Sequence, residues 1–396
     1  MPNTDLHALV DAARGRILAF AQRLLQAPSL SSQEKPTADL ILAEMRSLGY
    51  DAASVDGAGS VLGMIRGRSS EHNILFHAHM DVVDPGDASR WSYPPFGGQI
   101  ADGYLWGRGA ADDKGCIIAQ LYAIGLLKEA GLIPPRDVYV AAVVNEETAG
   151  LGTKYLLRSF VPDLAIIGEP SGNILRRGHR GRYEFVLTWQ GRSAHASAPQ
   201  RGLNPHYSMA RFLLALRDAP LTVEPVFGGT TVSPTLAYVD QSSSNVIPAQ
   251  ITLHLDWRNA PGEMATDAQA LLERLLRETA DPGVETHIAL RTRQMRTYTG
   301  YEETIQLDAR SFLRAEDDPL LLRAKRVLSE ALGRPMGVDV WRFCTDGGFI
   351  AAAGVPCLGF GPGEDIMAHV VDERLAIAQL LEAVVGYMAL ALRLPD

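Results

Sequence analysis

The sequence predicts an α/β fold, in which a mostly parallel sheet carries helices on both faces and a smaller α+β domain is inserted. Apolar segments typical of buried strands, such as NILFHAHMDVV and DVYVAAVV, alternate with amphipathic helical segments in the first part of the chain. After Gly178 the strands alternate apolar with polar residues, as in RYEFVLTWQG, which is typical of a sheet with one exposed face. This change indicates the inserted domain.

Helical periodicity begins near the start of the chain. Apolar residues recur at helical spacing from about Asp5 to Ala27, and a second helix is predicted from about Ser32 to Leu48, ending at Gly49. Strands follow in SVLGMIRG and NILFHAHMDVV, and a long apolar helix in CIIAQLYAIGLLKEAG precedes two prolines. The strands DVYVAAVV and LAIIGEP complete this part of the sheet.

The inserted domain is predicted to span residues 179–293, with two helices, PHYSMARFLLALRD and TDAQALLERLLRETA, among its strands. The larger domain is then discontinuous and comprises residues 1–178 and 294–396. It is predicted to resume with the helix PLLLRAKRVLSEALG, the strand VPCLGFG and a last helix from about Asp372.

Composition excludes several classes of protein. With 46% hydrophobic and 21% charged residues, the 396-residue chain is neither disordered nor fibrous. A formal net charge of -9 argues against nucleic-acid and anionic-membrane partners, since RRGHRGR is the one short basic run. The three cysteines form no CxxC pair, so neither a disulfide framework nor a thiolate metal site is expected. A signal peptide and a run of about 18 apolar residues are both missing, so we expect a cytoplasmic protein.

Polar residues gather where the predicted strands end. His77, His79 and Asp81 alternate in HAHMD and point to one side if the segment stays extended. A lone strand histidine is usually a packed core residue. Further titratable side chains, however, follow or interrupt apolar segments: Asp112, Asp113, Glu146, Glu147, Glu169 and His369. Imidazole and carboxylate groups without thiolates suit Zn²⁺ or a similar divalent ion.

Short segments occur in a characteristic order along nearly the whole chain: HMDVVDPGD, DGYLWGRGAADDKG, NEETAG, GEPS, GRSAHASAP, SNVIPA, DWRNAPGE and GPGEDIMAHVVDE. In this order, and at about these spacings, they resemble the family of two-zinc amidohydrolases. That family includes acetylornithine deacetylase, succinyl-diaminopimelate desuccinylase, aminoacylase and glutamate carboxypeptidase. The ordered set makes the resemblance specific, because a His-x-Asp pair alone is a weak signal.

The resemblance implies two zinc ions per subunit, with Co²⁺ or Mn²⁺ as possible substitutes. His79 and Glu169 would hold one ion, Glu147 and His369 would hold the other, and Asp112 would bridge both. The implied reaction is hydrolysis of an amide by a metal-bridging water, because two cations lower the pKa of that water and polarise the carbonyl.

Two adjacent glutamates follow an apolar strand in VVNEETAG, where like charges repel each other. The resemblance gives them different tasks: Glu147 binds metal, and Glu146 is the general base that moves a proton from the water to the leaving amine. It also implies that Asp81 accepts the ring N–H of His79 and so sets its tautomer.

The resemblance says less about the neighbours of these residues. The peptide bond between Asp112 and Asp113 is expected to be cis, as is common in the family. For the side chain of Asp113 we expect a loop or solvent position, and for His77 a packed position near the site.

The inserted domain also contributes to the site by resemblance. Gly191, His195 and Pro199 match the pattern G-x-x-x-H-x-x-x-P, in which the histidine reaches the neighbouring subunit's active site and stabilises the oxyanion. A homodimer formed through a ferredoxin-like lid domain is therefore expected. The alternative interpretation of His195 is a surface histidine near a strand edge.

Further positions match the family's substrate contacts: Asn245, Arg258, Thr345, Gly347 and Gly361. A planar guanidinium suits a substrate carboxylate, although Arg258 could instead form a structural salt bridge. For the two glycines, a turn is the alternative interpretation.

Within the family, the residues favour a deacylase. Glu169 stands where the aminopeptidase and tripeptidase branches tend to carry aspartate, and AHASAPQRGLNPHYSM and DWRNAPGE resemble acetylornithine deacetylase more than the desuccinylase. The leading prediction is hydrolysis of small N-acyl-L-amino acids, with desuccinylase-like, dipeptidase or glutamate carboxypeptidase activity as alternatives. A barrel amidohydrolase would need eight βα units, and a non-catalytic dimeric binding protein would have lost a ligand or the base.

Overall fold

The computed structural model describes residues 5–394. Within this range, residues 5–179, 294–303 and 313–394 form one compact unit, and Arg180–Arg293 with Thr304–Phe312 form a second. Sequence pattern alone places residues 304–312 in the larger domain. In the structure, Asp308 pairs with Tyr183 and the N–H of Leu307 donates to the carbonyl of Arg291 at 2.8 Å, so this segment extends the sheet of the second unit.

The α-helices of the described residues are α1 (Leu6–Leu25), α2 (Lys35–Ser47), α3 (Lys114–Glu129), α4 (Glu146–Ala149), α5 (Leu151–Leu156), α6 (Pro205–Arg217), α7 (Ala265–Thr279), α8 (Pro319–Leu332), α9 (Gly347–Ala352) and α10 (Ile377–Arg393). The strands are β1 (Ala52–Val55), β2 (Val61–Ile65), β3 (Ser69–His79), β4 (Gln99–Ala101), β5 (Tyr104–Trp106), β6 (Arg136–Val143), β7 (Ala165–Ile167), β8 (Leu175–His179), β9 (Arg182–Gln190), β10 (Ala194–His195), β11 (Thr231–Val239), β12 (Val246–Ile247), β13 (Gln250–Arg258), β14 (Glu285–Leu290), β15 (Thr292–Arg296), β16 (Glu302–Gln306), β17 (Asp308–Ala309), β18 (Phe312–Leu313), β19 (Val338–Trp341), β20 (Cys357–Gly359) and β21 (Arg374–Ala376).

Two helices begin later than the sequence predicts. The helix α2 begins at Lys35 rather than Ser32, because Ser32 adopts a left-handed conformation (φ 71°) and its N–H donates to the side chain of Glu34. The helix α10 begins at Ile377 rather than near Asp372, because Asp372 is also left-handed (φ 62°) and the strand β21 intervenes.

The large sheet of the first unit is mixed. Its strands follow the order β1-β2-β6-β3-β7-β20-β8-β18, and β19 also pairs with β8. The central strands β6, β3, β7 and β20 are parallel, whereas β1, β2 and β6 pair antiparallel and β8 runs antiparallel to β20. The predicted α/β class is confirmed, and the predicted parallel character holds for the centre of the sheet.

One long buried helix organises the core of the first unit. Every residue of α3 from Lys114 to Leu127 is buried, which accounts for an apolar sequence without a polar stripe. The helices α1 and α10 pack against α3, and Tyr387 of α10 makes edge contacts with Phe76 of β3 and with Phe360. This packing fixes the end of β3 relative to the start of α3, where predicted metal ligands lie.

A ferredoxin-like α+β sandwich forms the second unit. The elements β9, α6, β11, β13, α7 and β14 follow the order β-α-β-β-α-β, and the sheet β11-β13-β9-β14 is antiparallel throughout. Trp189, Trp257 and Phe212 lie in its hydrophobic core. The strand β11 lies at the edge of the sheet, where Leu236 is 47% and Tyr238 is 53% exposed.

Candidate metal centre

Neighbouring parallel strands bring the predicted site residues to one edge of the large sheet. The strand β3 ends at His79, β6 ends shortly before Glu146, and β7 ends shortly before Glu169. The register pairs His79 with Val143 at the end of β6, and β7 runs parallel to β3 on its other side. Ligand sites of such sheets lie at the carboxyl ends of the strands.

The carboxylate of Asp112 lies between two imidazoles. Its Oδ1 is 3.0 Å from Nε2 of His79, and its Oδ2 is 3.2 Å from Nε2 of His369. The same nitrogen of His369 is 2.9 Å from Oε1 of Glu147, and Nε2 of His79 is 3.8 Å from Oε1 of Glu169. The five predicted ligands therefore form one cluster centred on Asp112.

The donor atoms of this cluster are close enough to share metal ions. One atom each from His79, Asp112 and Glu147 lie within 4.8 Å of one another, and the same holds for His79, Asp113 and Glu169. Among the described residues, the buried Oδ1 of Asp113 has no hydrogen-bond partner. Nitrogen and oxygen donors without sulfur suit Zn²⁺ and similar divalent ions, so the residues present fit a metal pair.

Crowding of charge shifts the pKa values of the cluster. Burial raises the pKa of Glu169 well above its ordinary value, although His79 opposes the rise. Burial lowers the pKa of His79, but hydrogen bonds, the strongest to Asp112, outweigh it and raise that pKa well above its ordinary value. Hydrogen bonds to Asp112 and Glu147 raise the pKa of His369 to about 10. The carboxylates thus stabilise positive charge at this position, as a cation site does.

Asp81 anchors the turn that carries the two adjacent glutamates. Its Oδ1 accepts the backbone N–H of Glu146 at 2.9 Å, and its Oδ2 accepts that of Glu147 at 3.2 Å and the hydroxyl of Ser31 at 2.7 Å. The Nδ1 of His79 lies 3.0 Å from the main-chain oxygen of Asp81 and 3.6 Å from its carboxylate. The Nδ1 of His79 thus lies closer to the main-chain oxygen of Asp81 than to the carboxylate predicted to accept its N–H.

The carboxylate of Glu146 is available for proton transfer. Within the described part of the chain, no hydrogen bond or ion pair engages it. Burial raises the pKa of Glu146 well above its ordinary value; the charge of His79 opposes the rise, and those of Asp346 and Glu147 add to it. A carboxyl group with a raised pKa can hold a proton between two chemical steps.

The segment after Asp112 agrees in part with prediction. The Asp112–Asp113 peptide bond is cis, as expected from the resemblance. The expectation of a loop or solvent position for the Asp113 side chain is wrong: it is fully buried, and its Oδ2 accepts the backbone N–H of His79 at 3.0 Å. The reason is that α3 begins at the next residue and is itself buried.

The packed position expected for His77 is confirmed. Its Nε2 lies 2.6 Å from Oγ1 of Thr153, whose hydroxyl donates to Oδ2 of Asp346 at 2.5 Å. Burial lowers the pKa of His77 to about 3, so the ring is neutral. The three side chains form a buried polar chain that includes none of the predicted ligands.

The cluster is supported by two buried glutamates that are not among the predicted site residues. Glu34 accepts the N–H of Asn145, the residue before the glutamate pair, at 3.2 Å, and Glu373 accepts the N–H of Asp112 at 3.0 Å. Both side chains are fully buried. Glu373 ends the motif AHVVDE, so its place in the same short motif as the predicted ligand His369 is a signal; Glu34 lies far from every motif and offers none.

Two predicted residues of the second unit lie side by side. His195 is in β10, and the N–H of Ala196 donates to the carbonyl of Asn245 at 2.8 Å. The Nδ1 of His195 accepts the N–H of Ser197 at 3.1 Å and lies 2.7 Å from its hydroxyl oxygen. Because a backbone N–H can only donate, a neutral His195 carries its proton on Nε2.

Arg258 forms a salt bridge inside the second unit. Its Nε lies 2.6 Å from Oδ1 of Asp256 and its Nη2 lies 3.3 Å from Oδ2, while Arg182 contacts the same carboxylate at 2.7 Å. The structure thus shows the salt-bridge alternative for Arg258, with the side chain 44% exposed.

The other predicted substrate contacts have partners within the chain. The Nε2 of His179 lies 3.0 Å from the hydroxyl of Thr345, which accepts the N–H of Gly347 at 3.0 Å. Gly361 is required by close packing, because a Cβ there would lie 2.6 Å from Sγ of Cys116. These contacts explain how Thr345, Gly347 and Gly361 are packed, and their substrate-binding role stays a prediction.

The α/β fold and the histidine–carboxylate cluster, which is largely buried although His369 is exposed, define a metal-dependent hydrolase. The chain belongs to the peptidase family M20/M25/M40, which its residues 75–393 match. It is 30% identical to the succinyl-diaminopimelate desuccinylase of Cereibacter sphaeroides over 382 residues, which cover 92% of this chain and 94% of that protein. The YgeY protein of Escherichia coli K12 is 27% identical over 380 residues, which cover 94% of this chain and 93% of the relative.

Solved structures share the fold of this chain. Aminopeptidase PepT from Bacillus cereus has a TM-score of 0.75 at 21% identity, with 96% of this chain and 98% of that chain covered. The YXEP protein of Bacillus subtilis, a dinuclear metal-binding peptidase of the M20 family, has a TM-score of 0.72 at 16% identity, with 96% and 98% covered. The match to the family model confirms the predicted hydrolase family, and these structures show the shared fold. Among residues 5–394, no helix combines the length and apolar character needed to cross a bilayer.

Proposed function

We propose that this chain hydrolyses the amide bond of N-acyl-L-amino acids and releases a carboxylate and a free α-amine, as acetylornithine deacetylase does. The observation that carries the proposal is the cluster around Asp112, with the unengaged carboxylate of Glu146 on the adjoining turn. The glutamate at position 169 favours a deacylase, since aminopeptidase branches of the family tend to carry aspartate there.

Two zinc ions per subunit are the proposed cofactors. His79 and Glu169 would bind one ion, Glu147 and His369 the other, and Asp112 would bridge them; Co²⁺ or Mn²⁺ could substitute. When bound, the ions would acidify a water molecule and polarise the scissile carbonyl. The position of the Asp112 oxygens, 3.0 and 3.2 Å from the two imidazoles, supports this division of ligands.

Glu146 would act as the general base. It would accept a proton from the attacking water as the new C–O bond forms, and it would deliver that proton to the amide nitrogen as the C–N bond breaks. Its carboxylate supports this role, because no hydrogen bond or ion pair of the described residues engages it and it can therefore take and release a proton. Asp81 would keep the base in place through the backbone N–H of Glu146.

The second unit would act as lid and dimerisation domain, and the first as catalytic domain. His195 would donate its Nε2 proton to the oxyanion in the neighbouring subunit of a homodimer. The exposed edge strand β11, with Leu236 and Tyr238 on it, supports pairing with a second copy. Asn245 and Arg258 would bind the substrate carboxylate. To do so, Arg258 would give up its salt bridge with Asp256 and form one with the substrate.

Desuccinylase-like activity is the second candidate. It is favoured by the 30% identity to a succinyl-diaminopimelate desuccinylase over most of both chains. Dipeptide or glutamate carboxypeptidase activity is a further form of the same reaction, because each substrate carries a free carboxylate beside the amide. A cytoplasmic location, with neither nucleic acid nor membrane as partner, is also proposed, and the three free cysteines support a reducing compartment.

Release of free amine from a panel of N-acetyl, N-succinyl and longer N-acyl amino acids, together with dipeptides, tests the proposal. We expect turnover of at least one N-acyl amino acid, lost with EDTA and restored by zinc. A protein that binds zinc but hydrolyses nothing on the panel would contradict the proposed function.

The adjacent glutamates provide a matched pair of variants. Glu146→Ala should lower kcat by about three orders of magnitude or more but retain both metals, because it removes the base and no ligand. Glu147→Ala should lose metal as well as activity. If Glu146→Ala kept most of the wild-type rate, the assignment of the base would be wrong.

A further inference from the structure

Glu373 holds the backbone beside the proposed bridging ligand. Its side chain is fully buried. Oε1 accepts the backbone N–H of Ala111 at 2.9 Å and that of Asp112 at 3.0 Å, and Oε2 accepts an Nη1 proton of Arg108 at 2.6 Å. The carboxylate thus accepts three donors, and two of them are consecutive peptide N–H groups. These bonds leave the 111–112 backbone little freedom to rotate.

Arg108 is confined on its other sides as well. Its guanidinium lies over the ring of Trp91, 5.3 Å from the centroid, and its side chain is 3% exposed. The N–H of the preceding residue, Gly107, donates to the main-chain oxygen of Glu373 at 3.0 Å. The ion pair is thus shielded from water, where charge-assisted hydrogen bonds are strong and directional.

The loop from His369 to Glu373 has an unusual backbone. His369 (φ 63°) and Asp372 (φ 62°) both lie in the left-handed region that residues other than glycine rarely adopt. The carboxylate of Asp372 accepts the N–H of Ser92 at 2.6 Å and its hydroxyl at 2.7 Å, which holds the loop in this conformation. Such residues cluster at functional sites, where the surrounding contacts over-determine them.

We propose that Glu373 is a positioning residue for the metal centre: it fixes the peptide of Asp112 so that one carboxylate oxygen faces His79 and the other faces His369. The inference rests on the proposed metal-dependent function. A bridging carboxylate must present both oxygens in set directions, and rotation of the 111–112 peptide would move both away from the imidazoles. Because Glu373 belongs to the same loop as His369, it also ties that ligand to the bridge.

Glu373→Gln tests the proposal, because glutamine keeps the shape and one acceptor oxygen but turns an N–H donor toward Arg108. Asp318→Asn is the matched control. Oδ1 of Asp318 accepts the N–H groups of Leu320 at 2.9 Å and Leu321 at 3.2 Å, and its Oδ2 accepts an Arg314 proton at 2.6 Å. The donor set is the same, but no hydrogen bond or ion pair of the described residues joins Asp318 to a proposed ligand.

Zinc is titrated into each metal-free protein in competition with a chromophoric chelator, and thermal unfolding is recorded in parallel. Glu373→Gln should weaken zinc binding about 10- to 100-fold, whereas Asp318→Asn should lower Tm without changing zinc affinity. Equal zinc affinity in Glu373→Gln and the wild type would overturn the proposal. A wild type that binds two zinc ions but hydrolyses no amide would contradict the proposed function instead.

Should Glu373→Gln fail to unfold cooperatively, Arg108→Lys takes its place. Lysine keeps the positive charge but lacks the planar guanidinium that fixes the carboxylate's direction. We expect a smaller loss of zinc affinity in the same direction. Unchanged affinity in this variant would equally overturn the proposal.

Discussion

Asp81 accepts the backbone N–H of Glu146 at 2.9 Å, and through this bond a buried carboxylate orients the turn that carries the proposed base. Its second oxygen accepts the N–H of Glu147 at 3.2 Å. The shared acceptor fixes the direction of the turn, although the charge of Asp81 adds to the repulsion between the two glutamates. Their side chains are then left to different tasks.

Asp81→Asn should impair catalysis more than folding. Asparagine replaces one acceptor oxygen by an NH₂ group. This donor would face the backbone N–H of Glu146 or of Glu147, so that one hydrogen bond would be lost. We expect kcat to fall about 10- to 100-fold and the free energy of unfolding to fall by about 1–3 kcal/mol. Steady-state kinetics and denaturant unfolding measure the two effects, with Asp87→Asn, at an exposed turn that caps Ser89, as control. An unchanged kcat would contradict the anchoring role.

Glu34→Gln should change how stability depends on pH. Burial, with the nearby charge of Asp81, raises the pKa of Glu34 from 4.5 to about 7. Between these values the folded state binds more protons than the unfolded state, so the contribution of Glu34 to stability is present below pH 4.5 and lost as pH rises through 7. Across this window the wild type should lose about 3 kcal/mol relative to Glu34→Gln.

Denaturant unfolding of the metal-free proteins at a series of pH values measures that difference. Metal-free samples are needed because metal binding has a pH dependence of its own. A difference that stays constant with pH would contradict the raised pKa of Glu34.

His195→Ala should lower kcat about 100- to 1,000-fold at unchanged metal content, as expected for loss of one oxyanion donor. Ser197→Ala should have a smaller effect, because the backbone N–H of Ser197 still donates to Nδ1 after its hydroxyl is lost. In the double variant, Ser197→Ala should not lower kcat further, because the serine hydroxyl acts through the imidazole that His195→Ala has already removed. An equal effect of Ser197→Ala in both backgrounds, measured by steady-state kinetics, would count against this link.

Substitution of single ligands should remove metal ions unequally. His369→Ala deletes a ligand of one proposed site, so about one ion per chain should remain, whereas Asp112→Ala deletes the bridge and should weaken both sites. Elemental analysis after dialysis gives the metal content, and unfolding curves show whether each variant is folded. Identical stoichiometry in the two variants would contradict Asp112 as the bridge.

Local sequence pattern was sufficient for the class of the fold. Alternating apolar strands and amphipathic helices gave the α/β prediction, and the change to period-two strands after Gly178 marked the ferredoxin-like unit. Residues 304–312 were misplaced because β17 has only two residues, Asp308 and Ala309, and its pairing with β9 is distant in sequence. Periodicity cannot show a strand of that length.

Motif order likewise identified the residues that gather around Asp112, but not their partners. The resemblance implied that the Asp81 carboxylate accepts the ring N–H of His79, and only the packing of the turn shows that it accepts the backbone N–H groups of Glu146 and Glu147. The resemblance implied a loop or solvent position for the side chain of Asp113, and only the packing of the start of α3 shows that it is buried.

By itself, the sequence determined the family, the fold class and the set of chemically able side chains, because these depend on local periodicity and on an ordered series of motifs. The tertiary structure alone decided how those side chains are held. Glu34 and Glu373 come from distant parts of the chain, and they reach their donors beside the cluster, the N–H groups of Asn145 and Asp112, only after the strands and loops have packed. A buried carboxylate selects its partners by distance and direction in a medium without water, and no spacing along the chain records that choice.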